Sequence, residues 1–300
     1  MAFKKLMVYG IVTLAMFFWS MTYIWYKVVF EALPPISVMT FRLFFSSVFL
    51  FVFSYLIKKL QFPSQKDFYW LLVLSLFQPF LYFLAESYGV SMVSPTIAAV
   101  IISTIPMFTP FMAFLFYGHR ISVFNVFGIL VSFLGVLMVV LGRELHFEGS
   151  VTGILLLVGA VGAALGYSVI IVKLANKYSS FTIISWQNLF GACCFLPLFF
   201  IFDWNHVSIQ DIDRRILLNL IYLAFFGSSL AYVFFTYAIK NIGITKASLF
   251  TNTIPVFTAA FAFFIFGETI PVFKIVGIGV LLVGLFIGQS RWNFNGNTIR

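Results

Sequence analysis

The stretch "PTIAAVIISTIPMFTPFMAFLFYG", from Pro95 to Gly118, decides the fold because the chain contains it twice. Its counterpart is "KASLFTNTIPVFTAAFAFFIFGE", from Lys246 to Glu268. At an offset of 149 residues, 17 of the 40 positions in 96–135 are identical to those in 245–284. This identity indicates an internal duplication. We place the two units at residues 1–145 and 150–300.

The composition is that of a polytopic membrane protein. Of 300 residues, 62% are hydrophobic and 9% are charged, and the mean hydropathy is +1.07. A bilayer core of roughly 30 Å needs about 20 predominantly apolar residues per helix, and the chain repeats that pattern with short breaks. We predict ten spans: Met7–Tyr26, Ile36–Ile57, Phe68–Val90, Pro95–Tyr117, Val123–Leu141, Val151–Val172, Phe181–Phe202, Ile216–Ile239, Thr245–Phe266 and Pro271–Ser290.

The positive charges predict the orientation of these spans. On the ten-span arrangement, 12 of the 18 Lys and Arg residues lie on the side of both termini, five lie on the other side, and Arg42 lies within the membrane. Because cytoplasmic loops carry an excess of Lys and Arg, both termini are predicted to be cytoplasmic. This asymmetry explains the net charge of +9 without a nucleic-acid partner.

Each unit contains five predicted spans, which is an odd number. The second unit therefore enters the membrane in the opposite sense to the first. The predicted fold class is an all-α polytopic membrane protein of ten transmembrane helices, arranged as two inverted five-helix repeats around a central cavity. Inverted repeats are a recurring construction of secondary transporters, because the two halves can alternate around a site that lies between them.

Several motifs resemble those of the drug/metabolite transporter superfamily, and within it the EamA-like transporters. Besides the repeated stretch, these are "FFWSMTYIWYK" (Phe17–Lys27), "FR" (Phe41 and Arg42) and "FFGSSLAYVFFTYAIKNIG" (Phe225–Gly243). The resemblance implies a ten-helix bundle whose cavity is lined mainly by the first four helices of each half. It also implies transport of small molecules, often amino acids and other metabolites, and often outward.

Glu86 lies in a strongly apolar stretch, and Arg42 lies at a comparable predicted depth. Charged side chains within a membrane are costly and usually face the bundle interior, where they pair or function. We predict that both residues contact the substrate, and that Glu86 carries a proton during transport or binds a cationic group. A permanent ion pair with Arg42 that only fixes helix packing is one alternative. An interfacial position for Glu86 is another.

Other polar residues within the spans are further candidates. Asn252 and its repeat partner Ser103 precede Pro255 and Pro106, and proline frees a backbone carbonyl that a cavity or a hinge can use. Pro106 and Pro255 are therefore predicted hinges, while Asn252 and Ser103 are predicted to bind substrate. A polar contact between helices is the alternative. Four more residues are predicted to bind substrate: Trp19, Thr22, Gln187 and Tyr232. For each of them, packing or interface anchoring is the alternative.

Glycines recur every seven residues in the fifth and tenth spans. They are Gly128, Gly135 and Gly142 in the fifth, with Gly277 and Gly284 in the tenth. Small residues at this spacing let helices approach closely, so these stripes predict packing within the chain or at a homodimer interface.

Patterns typical of other functions are missing from the sequence. It has no G-x-x-x-x-G-K-[ST] motif for ATP. Its three histidines lie in predicted loops without metal-ligand spacing, and Cys193 and Cys194 are adjacent. We therefore predict no enzyme activity, cofactor or metal.

The predicted function is secondary active export of a small organic metabolite across a bacterial inner membrane by alternating access, with proton coupling as a further hypothesis. A passive facilitator or channel and a membrane scaffold are the alternatives.

Overall fold

A computed structural model describes residues 2–117, 123–141, 149–208, 210, 212–267 and 270–289. This part of the chain is helical and contains no β-strand. Its α-helices are α1 (Ala2–Val29), α2 (Pro35–Leu56), α3 (Gln65–Ser75), α4 (Tyr82–Met92), α5 (Pro95–Ile102), α6 (Ile105–Tyr117), α7 (Val123–Leu141), α8 (Val151–Ala175), α9 (Ser180–Leu198), α10 (Arg214–Tyr222), α11 (Ala231–Ile242), α12 (Ile244–Leu249), α13 (Ile254–Phe266) and α14 (Val272–Gln289).

Within the described residues, eight continuous helical segments are long and apolar enough to cross a membrane. Two shorter apolar helices, Pro95–Phe108 and Val272–Gly288, correspond to the predicted fourth and tenth spans. Large apolar side chains such as Phe264 and Phe286 are 80% and 75% exposed on the outside of the bundle, where lipid would cover them. The chain is thus an all-helical polytopic membrane protein. The count of ten spans and their inverted arrangement stay predictions.

Both copies of the repeated stretch break at the same place. α5 ends at Ile102 before α6 begins, and a 3-10 turn from Phe250 to Thr253 separates α12 from α13. Pro106 and Pro255 are each the second residue of the helix that follows. Proline is tolerated there because the first turn of a helix has no acceptors for its N–H groups. The predicted hinge prolines lie at backbone discontinuities, and their motion stays a prediction.

The predicted third and eighth spans also depart from α-helix at equivalent positions. π-helical segments run from Leu76 to Leu81 and from Leu223 to Leu230. In the first segment Gln78 has an extended conformation, with φ −150° and ψ 119°. Pro79 explains this kink, since proline removes a backbone donor and disfavours the helical conformation of the residue before it. The kink lets the Gln78 side chain face the centre of the bundle.

The glycine stripes of α7 and α14 pack against each other within the chain. A Cβ atom added to Gly128 would collide with the backbone of Gly288, and one added to Gly135 would collide with the backbone of Leu281. Ser132 Oγ donates a hydrogen bond of 3.3 Å to the Leu281 carbonyl at the middle of this seam. The pairing is antiparallel. These glycines are used inside the chain and so no longer indicate a homodimer, while Gly142 lies outside the described residues.

Polar contacts hold α2 against the second half of the chain. Asn188 of α9 donates to Ser46 Oγ at 2.7 Å and to the Ser228 carbonyl at 2.9 Å. Asp203 Oδ2 accepts from the backbone N–H and the hydroxyl of Ser37 at 2.8 and 2.7 Å. A carboxylate at a helix N-terminus is favourable because it complements the unpaired N–H groups there. These contacts fix the position of α2, which carries Arg42.

Candidate functional site

A central cavity of about 80 Å³ lies between the two halves. Its walls come from α1, α2, the Gln78 kink, α4 and the break between α5 and α6, together with α8, α11 and the region from α12 to the start of α13. Aromatic rings make up much of the lining: Trp19, Tyr23, Tyr82, Phe83, Tyr167, Tyr232 and Phe235. The cavity is large enough for several water molecules or a small organic group.

Arg42 lies at the wall of this cavity and is only 1% exposed. Its Nε atom donates a hydrogen bond of 2.5 Å to Ser228 Oγ, and one terminal nitrogen donates to the Tyr26 hydroxyl. The guanidinium also stacks over the Phe83 ring at 4.3 Å from its centre, an attractive arrangement for a cation. The charge of Arg42 is therefore held in a fixed position by both halves of the chain.

Glu86 is likewise buried, and two tyrosines bind its carboxylate. Tyr82, one turn earlier in α4, donates to Oε1 at 2.8 Å, and Tyr26 of α1 donates to Oε2 at 3.3 Å. Tyr26 therefore accepts a hydrogen bond from Arg42 and donates one to Glu86. Among the described residues the direct ion pairs are Lys177 with Asp67 and Arg215 with Glu31, so Tyr26 bridges Arg42 and Glu86 instead of direct pairing. We call Tyr26, Arg42, Tyr82 and Glu86 the charged cluster.

Hydrogen bonds across the middle of the cavity join the two halves. The Gln78 amide donates to the Tyr232 hydroxyl at 2.5 Å. The Trp19 indole donates to the Gly227 carbonyl at 3.3 Å. Gly227 also permits a close approach, because a Cβ atom there would lie 2.6 Å from the Thr22 side chain and 3.2 Å from the Arg42 guanidinium.

A second polar group lies in the second half of the chain. The Tyr167 hydroxyl, in the cavity wall, is adjacent to the side chains of Thr236 and Gln187. The hydroxyls of Tyr167 and Thr236 and both polar atoms of the Gln187 amide are buried next to one another, and none of them has a hydrogen-bond partner outside this group in the described part of the chain. We call Tyr167, Gln187 and Thr236 the neutral cluster.

A wider vestibule of about 400 Å³ adjoins one end of the central cavity. Tyr23 lines both spaces, and the vestibule also contains Lys27, Glu31, Ser91 and Ser94. On the predicted topology these residues lie at the outer face. Tyr23 is therefore positioned between the cavity and that face.

Five of the eight predicted substrate-binding residues line the central cavity: Trp19, Thr22, Arg42, Glu86 and Tyr232. Three do not. Gln187 lies behind Tyr167 in the neutral cluster. Ser103 is fully buried, and its hydroxyl donates to the Val100 carbonyl of its own helix. Asn252 has a buried amide oxygen without a partner, away from the cavity lining.

At both helix breaks the lining comes from neighbours of the predicted residues instead. Ile102 and Ile105 flank Ser103, while Thr251 and Ile254 flank Asn252. Because successive helical residues point about 100° apart, a shift of one position is enough to turn a side chain out of the cavity. The prolines themselves, Pro106 and Pro255, are also absent from the lining.

Tyr26 and Tyr82, which belong to the charged cluster, were not among the predicted site residues. Tyr26 continues the face of α1 that carries Thr22 and Tyr23, and Tyr82 precedes Glu86 by one helical turn. Spacing of three or four residues places side chains on one helix face, so this pattern could have identified both. The described residues contain no group of three or more His, Cys, Asp or Glu side chains that could hold a metal ion.

Comparisons with known proteins agree with this architecture. The model of the EamA-like transporter family matches residues 6–141 and 151–288. An uncharacterized transporter of Archaeoglobus fulgidus is 25% identical over 92% of this chain and 96% of its own length. A chloroplastic WAT1-related protein of Arabidopsis thaliana is 26% identical over 90% of this chain and 66% of its own length. A solved crystal structure with 14% identity matches at a TM-score of 0.72, covering 94% of this chain and 98% of that one.

Proposed function

This chain belongs to the EamA-like transporter family of the drug/metabolite transporter superfamily, and we propose that it moves a small organic metabolite through the central cavity by alternating access. The observation that carries this proposal is the central cavity itself. It is enclosed by both halves, rimmed by aromatic rings, and contains a buried arginine and a buried glutamate. Ligand sites are typically apolar clefts with a few convergent polar groups.

The contacts between the halves support an inverted repeat. At the offset of 149, Gly128 corresponds to Gly277 and Gly135 to Gly284. The contact of Gly135 with Gly277 and that of Gly128 with Gly284 therefore exchange when the two halves are exchanged. Ser132 and Leu281, which share a hydrogen bond, are themselves equivalent positions. Antiparallel pairing of equivalent helices with such reciprocal contacts is the result expected from a two-fold axis across the seam.

The interrupted helices support alternating access. Breaks before Pro106 and Pro255, and π-helical segments at Leu76–Leu81 and Leu223–Leu230, occur in matching places in the two halves. Discontinuous helices at the interface of inverted repeats are where transporters form substrate sites and rock one half against the other. The excess of Lys and Arg on one side supports cytoplasmic termini, and export across a bacterial inner membrane is the direction and location that we propose.

The charged cluster is proposed to act on the substrate or on a coupled proton. Glu86 can accept a proton while Tyr26 and Tyr82 keep its carboxyl group oriented, and Arg42 remains held by Ser228 and Phe83. An ionisable residue that faces a cavity within a membrane is a functional candidate because its burial is costly. A purely structural role for the same contacts is the alternative that the experiment must separate.

The direct test compares metabolites inside and outside cells with and without overexpression of the chain. A transporter should enrich specific metabolites outside, and these should show saturable uptake and counterflow in proteoliposomes. A facilitator would show flux without concentrative transport. A chain that changes no metabolite would contradict the proposed function.

The role of Glu86 is tested with Glu86→Gln in the same proteoliposomes. We expect transport to lose its dependence on pH, because the amide has similar shape but cannot carry a proton. Asp213→Asn is the matched control, since Asp213 caps α10 outside the cavity and asparagine is an equally good cap. If Glu86→Gln transports with unchanged rate and pH dependence, Glu86 is structural.

A further inference from the structure

We infer that Tyr23 is a side-chain gate between the vestibule and the central cavity, closed in this structure and opened by rotation of its ring. This inference rests on the proposed function, because a gate matters only if molecules pass along this route. It adds to that function the residue that controls passage between the two spaces.

The first argument is the position of Tyr23. The central cavity of about 80 Å³ and the vestibule of about 400 Å³ are distinct spaces. Among the described residues that line them, Tyr23 is the only one common to both. Its side chain is packed closely, with 2% of the residue exposed. A molecule that moves from the vestibule to the cavity therefore meets this ring.

The second argument is that packing alone holds the ring. The hydroxyls of Tyr82 and Tyr232 are hydrogen-bonded, and that of Tyr167 lies beside the polar side chains of the neutral cluster. The Tyr23 hydroxyl, in contrast, has no hydrogen bond within the described ranges, and its ring has no aromatic partner there. Rotation of the Tyr23 ring therefore breaks no polar contact.

The third argument is that both walls of the vestibule are anchored. Lys27, one turn after Tyr23 in α1, lies over the Phe266 ring of α13 at 4.3 Å from its centre. The other wall is the corner between α4 and α5, which packs against α8. A Cβ atom added to Gly153 of α8 would lie only 2.8 Å from the Met92 side chain at this corner. The ring is thus the part that can move without separating helices.

The helix around Tyr23 restricts the motion to the side chain. Tyr23 lies inside α1, which is continuous from Ala2 to Val29, so its backbone stays in place. Long side chains in an α-helix take one of two χ1 rotamers. The vestibule is the larger of the two spaces and has room for the ring in its second rotamer. Exchange between the rotamers opens and closes the passage.

The duplication indicates that the ring is not required for packing of the repeat. At an offset of 146 residues, which aligns the first helices of the two halves, Lys27 corresponds to Lys173 and Tyr23 corresponds to Val169. The second half therefore folds with a small aliphatic side chain at this position. The ring of Tyr23 is a feature of one end of the passage only.

The experiment measures the access of a thiol reagent to the cavity. The full chain, with Cys193→Ser and Cys194→Ser, is placed in lipid nanodiscs so that the reagent reaches both faces. Ser168→Cys reports on the cavity and Ser91→Cys on the vestibule, since each native hydroxyl bonds only its own helix. The probe is a methanethiosulfonate with a trimethylammonium group, whose permanent charge keeps it out of the lipid.

The gate predicts a different response at the two reporter positions. Ser91→Cys should react rapidly whichever residue stands at position 23. Ser168→Cys should react slowly beside Tyr23 and about tenfold faster with Tyr23→Ala, which corresponds to about 1.4 kcal/mol of barrier. Tyr23→Phe should keep the slow rate, because the ring closes the passage. Tyr23→Val, which introduces the residue of the second half, is the second variant if Tyr23→Ala folds poorly.

Phe235→Ala is the matched control, because Phe235 lines the cavity but not the vestibule and has a ring of similar size. Equal acceleration by Phe235→Ala would show general loosening of the cavity and overturn the inference. Rapid modification of Ser168→Cys beside Tyr23, or an unchanged rate with Tyr23→Ala, would overturn it too. The measurement requires no transport, so a working gate in a chain that exports no metabolite would contradict the proposed function alone.

Discussion

The two halves of the molecule are alike where their helices touch and unlike where they face the cavity. Along the seam between α7 and α14, glycine meets glycine in reciprocal pairs. At the cavity, Arg42 of α2 is replaced by Gln187 of α9, and Glu86, the fifth residue of α4, is replaced by Phe235, the fifth residue of α11. The first half carries charges with complete internal partners. The second half carries neutral groups that contact one another and have no partner outside their own cluster in the described part of the chain.

This difference has a physical basis. A charge buried without partners is too costly to keep, so Arg42 and Glu86 require the tyrosines and Ser228 around them. An uncharged amide or hydroxyl is less costly to bury, and the three side chains of the neutral cluster lie next to one another. The charged cluster is therefore compensated by groups of the protein itself, whereas the neutral cluster needs no such compensation.

The largest expected effect is that of Arg42→Gln, which gives the first half the residue of the second. It leaves the Glu86 charge in a buried site with only tyrosines to compensate it. We expect a loss of about 3–5 kcal/mol in the free energy of unfolding, as for other broken buried charge pairs. Gln187→Leu should change it much less, because the amide it removes is uncharged and has no partner outside the neutral cluster. Chemical denaturation of the purified variants measures both.

A double variant tests whether the cost of Arg42→Gln comes from the stranded charge of Glu86. Arg42→Gln combined with Glu86→Gln should regain part of the loss, with an interaction energy of about 1–3 kcal/mol between the two positions. Additive effects would show that Tyr26 does not couple the two charges, and the contrast between the clusters would lose its explanation.

The next effect is that of Tyr26→Phe. This change removes a hydroxyl that bonds both Arg42 and Glu86, so we expect a loss of about 1.5–3 kcal/mol, the range for hydrogen bonds to charged groups. The comparison variant is Tyr167→Phe, whose hydroxyl contacts only the uncharged side chains of Thr236 and Gln187 in the described part of the chain. It should be nearly neutral in denaturation without ligand. Equal losses in the two tyrosine variants would remove the distinction between the halves.

The glycine seam between α7 and α14 is the region where equivalent substitutions in the two halves should have equal effects. Gly135→Ala and Gly284→Ala place a methyl group against the backbone near Leu281 and Ser132, respectively. Overpacking of this kind costs about 1–3 kcal/mol, and the two variants should lose similar amounts. Gly159→Ala is the control, because a Cβ atom at Gly159 of α8 has nothing within 4 Å. Clearly unequal losses would contradict the reciprocal packing that supports the inverted repeat.

Much of the fold could be predicted because its causes are local. Runs of about 20 apolar residues mark spans, and the duplication appears as identity at a fixed offset. The broken helices were less accessible. Pro106 indicated a discontinuity, but the face that Ser103 presents depends on how the chain turns at the break. That turn directs Ile102 and Ile105 to the cavity instead.

The charged residues of the candidate site could be predicted from the sequence, but the side chains that hydrogen-bond them could not. Arg42 and Glu86 are conspicuous in apolar stretches, and their predicted depths are similar. The bridge by Tyr26 depends on the relative rotation of α1, α2 and α4, which no single helix determines. The neutral cluster was harder still. Gln187 was predicted to bind substrate, but its neighbours Tyr167 and Thr236 come from two other helices, and only the packing of those helices brings the three side chains together.

The smallest expected effect is that of Thr236→Val, and it bears directly on the comparison between the halves. The two side chains have nearly the same shape, so packing is preserved, and the removed hydroxyl has no partner outside the neutral cluster in the described structure. The free energy of unfolding should therefore change by no more than about 0.5 kcal/mol without ligand. Ser87, the equivalent residue in the first half, donates to the Leu84 carbonyl at 3.3 Å, and Ser87→Ala serves as the matched variant. If Thr236→Val costs more than Ser87→Ala, the Thr236 hydroxyl already has a partner, such as ordered water, and the second half is as complete as the first.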